Sequence, residues 1–173
     1  MPLVLAGATS GSTTIQATDA VTQTITLPNN SGTILTTANT FGAGTGPAFS
    51  AYASSGTTIS NGSFTKVLYD VEEWDTANCY SSSRFTPNVA GYYLISAANN
   101  ISTGTIGTNN VMTIYKNGSW YRSGSSYYWS ISQIVYCNGT TDYIEIYTFN
   151  NATGAITGTS TYNCFSAAMI RSA

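Results

Sequence analysis

A chain of 173 residues that is 42% hydrophobic holds enough apolar mass for one packed domain plus an extended segment, and too little length for two ordinary domains with a long linker. Charged residues make up only 7% and the formal net charge is -2, so the five Lys and Arg cannot neutralise a run of phosphates or anionic headgroups. An aromatic content of 13% demands burial, which excludes a disordered chain.

Residues 1–37 alternate β-branched and polar positions, as in Thr14-Ile15-Gln16 and Val21-Thr22-Gln23-Thr24-Ile25-Thr26-Leu27. A Pro28-Asn29-Asn30-Ser31-Gly32 turn leads into Thr33-Ile34-Leu35-Thr36. Period-two patterning around a turn predicts strands, and a lone hairpin is marginal in water, so this segment needs partner chains or a docking surface to hold its order. The opening Met1-Pro2-Leu3-Val4-Leu5-Ala6-Gly7-Ala8 has no basic residue and too short an apolar run for an export signal, and is read as mature sequence. Residues 38–47, with Gly42, Gly44, Gly46 and Pro47 around Phe41, read as a linker.

From Phe49 onward, short apolar-rich runs recur between turn signals. The predicted strands are Phe49–Ala53, Phe64–Val71, Tyr92–Ala97, Met112–Tyr115, Ile131–Tyr136, Tyr143–Phe149 and Tyr162–Ile170. Ser60-Asn61-Gly62-Ser63, Pro87-Asn88, Asn117-Gly118, Asn138-Gly139 and Asn150-Asn151 mark turns between them. No window keeps a helical period with caps, and no run approaches the roughly 20 apolar residues of a membrane-spanning helix. Strands at this spacing predict an all-β sandwich or jelly roll.

The order of motifs then resembles the globular head of the complement component 1q family, whose jelly roll is shared with the tumour-necrosis-factor ligands. Phe49-Ser50-Ala51-Tyr52 and Phe64-Thr65-Lys66-Val67 open the pattern, and Arg84-Phe85-Thr86-Pro87-Asn88-Val89-Ala90-Gly91-Tyr92-Tyr93 forms its spine. Ile114-Tyr115-Lys116-Asn117-Gly118, Tyr143-Ile144-Glu145-Ile146-Tyr147 and Cys164-Phe165-Ser166-Ala167-Ala168-Met169-Ile170 complete it over residues 49–173. The resemblance implies a homotrimer, with Phe85, Tyr93 and Phe165 filling the core and Gly91 lying beneath large rings where a strand begins. The family's aromatics two and four residues after Tyr93 are here Ile95 and Ala97. The segment Gly7–Thr14, with Thr26–Leu35, is similar to stretches in fibre and appendage proteins of tailed bacteriophages.

Catalytic chemistry finds little to work with. The chain has no histidine, so serine–histidine and cysteine–histidine nucleophiles and the common zinc sites are absent. Cys79, Cys137 and Cys164 lack CxxC spacing and are expected as free thiols, with a Cys137–Cys164 disulfide as the alternative. Asp70, Glu72, Glu73 and Asp75 form the one acidic cluster, a candidate for calcium because that ion takes crowded oxygen ligands. The competing reading is a solvated edge or loop paired with Lys66 or Arg84. No other cofactor is expected. Trp120, Tyr121, Arg122, Tyr127, Tyr128 and Trp129 set rings among Ser and Gly, the composition of adaptable binding loops. These rings either bind a ligand or partner, or line an interface of the assembly.

The expectation is therefore an all-β, homotrimeric jelly roll over residues 48–173, behind a Gly-rich linker at 38–47 and a β-rich stalk or anchor at 1–37. Function is expected to be non-enzymatic: a surface appendage of a tailed-phage virion, either capsid decoration or a small fibre knob, assembled in the host cytoplasm. Its expected partners are its own copies, other virion proteins through residues 1–37, and a host-surface glycan or protein, with no nucleic acid and no membrane insertion. A soluble lectin-like module is the alternative.

Overall fold

The computed structural model describes residues 3–6, 12–15, 46–104, 109–124 and 129–173. The chain divides into two compact units, Met1–Ala38 and Asn39–Ala173. In the first, β1 (Leu3–Ala6) pairs antiparallel with β2 (Ser12–Ile15), in the register Leu3↔Ile15 to Ala6↔Ser12. The apolar N-terminal run is thus a strand, which its length had hidden. The expected strands at 21–27 and 33–36, the turn at 28–32, and all of the linker except Gly46 and Pro47 lie outside the described residues.

The second unit is built from β3 (Ala48–Tyr52), β4 (Thr57–Ile59), β5 (Ser63–Lys66), β6 (Val71–Asp75), β7 (Tyr80–Ser81), β8 (Arg84–Phe85) and β9 (Ala90–Ala98). It continues through β10 (Ile101–Gly104), β11 (Asn110–Lys116), β12 (Ser119–Ser123), β13 (Ser130–Asn138), β14 (Ile144–Asn150), β15 (Gly154–Ile156) and β16 (Cys164–Ser172). One five-stranded sheet has the order β13-β9-β16-β3-β6 and the other β12-β11-β14-β8-β7. A three-stranded sheet, β10-β15-β4, adds Ile101, Ile156 and Ile59 to the same core. Each ladder between these strands is antiparallel, and β5 lies beside β14 through the bonds Val67 N–H to Ile146 O (2.9 Å) and Gly62 N–H to Asn150 O (2.8 Å). The described unit is an all-β jelly roll.

Alternation along each strand explains why the two large sheets face each other. Tyr93, Ile95 and Ala97 of β9 point inward, as do Met112 and Ile114 of β11, Ile144 and Ile146 of β14, and Phe165 and Ala167 of β16. Phe49 sits at the centre of the rings: stacked on Tyr80 (centroids 4.4 Å apart) and Phe85 (4.9 Å), and edge-on to Phe165 (4.8 Å). Buried tyrosines keep their hydroxyls paired, Tyr93 donating to Val89 O at 2.6 Å and Tyr80 to Tyr69 O at 2.7 Å. Ile95 and Ala97, which stand where the resembled family carries aromatics, are both buried. Gly91 differs from expectation in its neighbours. A Cβ there would stand 2.5 Å from Arg171 O, so it is the backbone of β16, not a ring, that requires glycine.

Two hairpins use left-handed backbone. Asn117 and Gly118 (φ 55° and 74°) join β11 to β12, the Asn-Gly pair that a two-residue turn of this hand prefers. Ser82 and Ser83 (φ 52° and 57°) make the same kind of turn between β7 and β8 without any glycine. Ser83 compensates with its side chain, whose Oγ accepts from Tyr69 N–H at 2.9 Å and lies 3.2 Å from Tyr69 O.

Candidate functional site: two outward sheet faces and a basic cleft

The outward face of the first sheet is apolar where β9, β13 and β16 run side by side. Tyr92 and Leu94 of β9 lie opposite Tyr136 and Ile134 of β13, and Ala168 of β16 lies opposite Leu94. Relative exposures are 43% for Tyr92, 41% for Leu94, 58% for Ile134, 41% for Tyr136 and 50% for Ile170. Five large apolar side chains in one patch are more than a solvated monomer usually shows. A cleft of about 530 Å³ opens between Tyr92, Ile134, Ile170, Arg171 and the C-terminal Ser172 and Ala173. One sequence signal pointed here. Tyr92-Tyr93-Leu94-Ile95 is apolar at consecutive positions, the pattern of a strand covered on both faces.

The second sheet turns a ring-rich face outward. Glu145, Tyr147 and Phe149 alternate with the inward Ile144, Ile146 and Thr148 of β14, and Tyr115 of β11 lies opposite Glu145. Tyr115 stacks on Tyr147 with centroids 3.9 Å apart. Phe64 of β5 packs against Phe149 and Trp120, each at 5.2 Å, and against Tyr115 at 6.0 Å. Trp120 remains 61% exposed.

The predicted aromatic loop therefore splits. Trp120, Tyr121 and Arg122 belong to β12; Trp120 faces outward, while Tyr121 and Trp129 pack against the core. Arg122 holds its guanidinium 4.6 Å from the Tyr121 ring centroid. Tyr127 and Tyr128 lie outside the described residues.

The acidic cluster is spread over a loop and an edge strand. Asp70 precedes β6 and takes Ser54 N–H and Oγ, each at 2.6 Å. Asp75 takes Ala77 N–H (3.0 Å) and Tyr80 N–H (2.7 Å), organising the turn into β7. Glu73 takes Ser50 Oγ at 2.6 Å, and Glu72 lines a cleft with Asp70. Among the described residues no three acidic or thiol groups gather as a metal's ligands. Lys66 and Arg84 pair elsewhere than the sequence suggested. Lys66 Nζ (2.8 Å) and Arg84 Nε and Nη2 (3.0 Å each) all meet Glu145 Oε1.

Burial alone would raise the Glu145 pKa, but the hydrogen bonds and charges of Lys66 and Arg84 outweigh it and hold the carboxyl below its ordinary value. Bonds from Ser54 lower Asp70, and Asn117 and Lys116 lower Asp142 against its own burial. Each depressed carboxylate adds stability above its unfolded pKa and loses it as pH falls through the folded value. Thermal midpoints should stay flat from neutrality to about pH 5 and fall below about pH 4, with no histidine transition between. A midpoint already falling steeply between pH 7 and 5 would contradict this. The cysteines are free thiols, and burial pushes the Cys137 thiol up to about 11, so it stays protonated at neutral pH.

Fold and faces together define an all-β jelly-roll head with two exposed sheet faces. No family model matches the sequence, and no curated protein matches it either. Among solved structures, the chain is similar to the PRD1 vertex protein P5, with a TM-score of 0.55 and 18% identity over 74% of this chain and 99% of that one. It is similar to Eiger TNF from S. frugiperda, with a TM-score of 0.54 and 8% identity over 73% of this chain and 93% of that one. Murine APRIL aligns with a TM-score of 0.51 and 12% identity over 72% of this chain and 98% of that one. At these identities the likeness is one of fold.

Proposed function

We propose that this protein is a non-enzymatic structural component of a tailed-phage virion: a homotrimeric surface appendage whose head points away from the particle and whose N-terminal segment, residues 1–37, attaches it. The observation that carries the reading is the largely apolar outward face of β9, β13 and β16, which fits burial against copies of itself. The fold shared with a vertex protein supports a place on a particle, and the stalk-like alternation of residues 1–37 supports attachment at that end. Within this reading, capsid decoration or a small fibre both suit the chain, and adhesion falls to the head's outer surface. The lectin-like alternative keeps the same head and dispenses with the particle.

Deletion of residues 1–37 tests the division of labour. The truncated chain should remain a folded trimer, because the jelly roll closes its own core, and should no longer incorporate into particles. Incorporation at the normal level would show that the head itself is the docking surface.

A further inference from the structure

A cleft of about 690 Å³ lies against the β7–β8 hairpin, lined by Lys66, Arg84, Ser81, Ser82 and Thr86 together with the Asn78–Tyr80 stretch. Two of the chain's five cationic side chains converge on it. The buried Glu145 carboxylate balances one of those charges, leaving the wall one positive charge in excess. Donor capacity remains as well. Lys66 Nζ gives two hydrogens, to Ser82 O (2.9 Å) and Glu145 Oε1, and keeps a third. Arg84 binds Glu145 through Nε and Nη2, which leaves Nη1 without a partner among the described residues. The guanidinium plane rests on the Tyr143 ring, 3.9 Å from its centroid, so the fork is already oriented.

The cleft is continuous with the aromatic face. Lys66 and Phe64 are two apart on β5, and Glu145 and Tyr147 two apart on β14, so each pair shares a side of its strand. Tyr147 feels the charges of both Glu145 and Arg84 and stacks on Tyr115, which leads on to Phe64 and Trp120. On the hairpin's other side, Asp70 and Glu72 line a second cleft of about 490 Å³ that shares Tyr80, Ser81 and Ser82 with the first. A polyanion lying across the ridge would be repelled there, whereas a ligand with one isolated anionic group would not.

We propose that this face binds an anionic saccharide, its charged group held between Lys66 and Arg84 and its neighbouring sugar rings stacked along Tyr147, Tyr115, Phe64 and Trp120. Rings supply flat apolar surface for the C–H faces of pyranoses, and the hydroxyls of Ser81, Ser82 and Thr86 offer partners for sugar hydroxyls. A charge-assisted pair at a fixed guanidinium supplies the preference for the anion. The inference deepens the adhesive part of the proposed function, and its test does not depend on the position of the chain on a particle.

The test is calorimetric titration of the full-length chain with a hexasaccharide carrying a single glucuronate among neutral sugars as the uronate probe, the same oligosaccharide with its carboxyl reduced, and inorganic sulfate. The uronate probe should bind, the reduced one about tenfold or more weakly, as expected for losing a charge-assisted hydrogen bond. Arg84→Lys keeps a cation beside Glu145 but loses the fork, and should erase most of that preference while the melting temperature stays close to wild type. Trp120→Ala should weaken both oligosaccharides alike. Absence of binding, equal affinity for the two oligosaccharides, or an unchanged preference in Arg84→Lys would overturn the proposal. Sulfate binding as tightly as the uronate probe would leave a simple anion site and overturn the saccharide assignment. A chain that binds the probe yet never enters particles would keep this inference and sink the virion reading instead.

Discussion

Phe49→Ala is expected to destabilise the head by about 3–5 kcal/mol, the range for truncating a fully buried phenylalanine. Phe49 is 0% exposed and bridges the layers: Tyr80 and Phe85 belong to one sheet, Phe165 to the other. Alanine would remove three ring contacts at once, and each aromatic pair is worth roughly 0.5–1.5 kcal/mol beyond its buried area. The surrounding rings come from the paired β7 and β8 of one sheet and from β16 of the other, all held in backbone ladders, so they cannot easily collapse into the space. Domains of this size are stable by about 5–15 kcal/mol, so the variant should sit close to its folding threshold. Urea unfolding followed by circular dichroism would measure the loss, with Phe49→Leu as the milder comparison. A loss under about 1 kcal/mol would place the centre of the core elsewhere, for this substitution normally exceeds it.

The ring core and most long strands were legible because two signals agreed there. β9, β11, β13, β14 and β16 alternate inward apolar residues and are set off by turns such as Asn117-Gly118 and Asn138-Gly139. Gly139 shows how tight such a turn is, since a Cβ there would stand 2.3 Å from Ala90 N. Where the signals parted, the sequence misled. Val67 and Tyr69 are buried on alternate positions after β5 has ended at Lys66, so the period continues while the backbone leaves the ladder, and one strand was expected through Val71. β6 is an edge strand exposed at Glu72, Glu73 and Trp74, with Glu73 at a bulge, so it read as an acidic cluster and not as a strand. The β7–β8 hairpin was invisible because Ser82-Ser83 takes the place of Asn-Gly, and Ser83 satisfies its surroundings by a side-chain bond that no local pattern announces. The basic cleft was hidden for a related reason. Lys66, Arg84 and Glu145 are far apart in sequence, and only the neighbouring positions of β5, β8 and β14 bring them together.

Placing one carboxylate on the apolar face of the first sheet should separate the copies without unfolding them. Leu94 and Ile134 lie directly opposite each other on β9 and β13, and in the isolated head both are substantially open to solvent. Leu94→Glu, or Ile134→Glu, therefore adds a charge that water can solvate in the monomer. In a closed homotrimer that buries this face, symmetry repeats the charge at every contact, and each uncompensated buried ion costs several kcal/mol. The face offers little compensation, because Ser96, Ser132, Tyr92, Tyr136 and Ala168 surround the pair and Arg171 is the cation placed opposite Tyr92. Sedimentation should show wild type as a trimer and either variant as a folded monomer with an unaltered β-sheet circular dichroism spectrum. Trp120→Glu supplies the control, since it puts the same charge on the outward face of the other sheet and should leave the trimer intact. The opposite outcome, a trimer that survives Leu94→Glu and Ile134→Glu but falls apart with Trp120→Glu, would move the self-association surface to the aromatic face and remove that face from ligand binding.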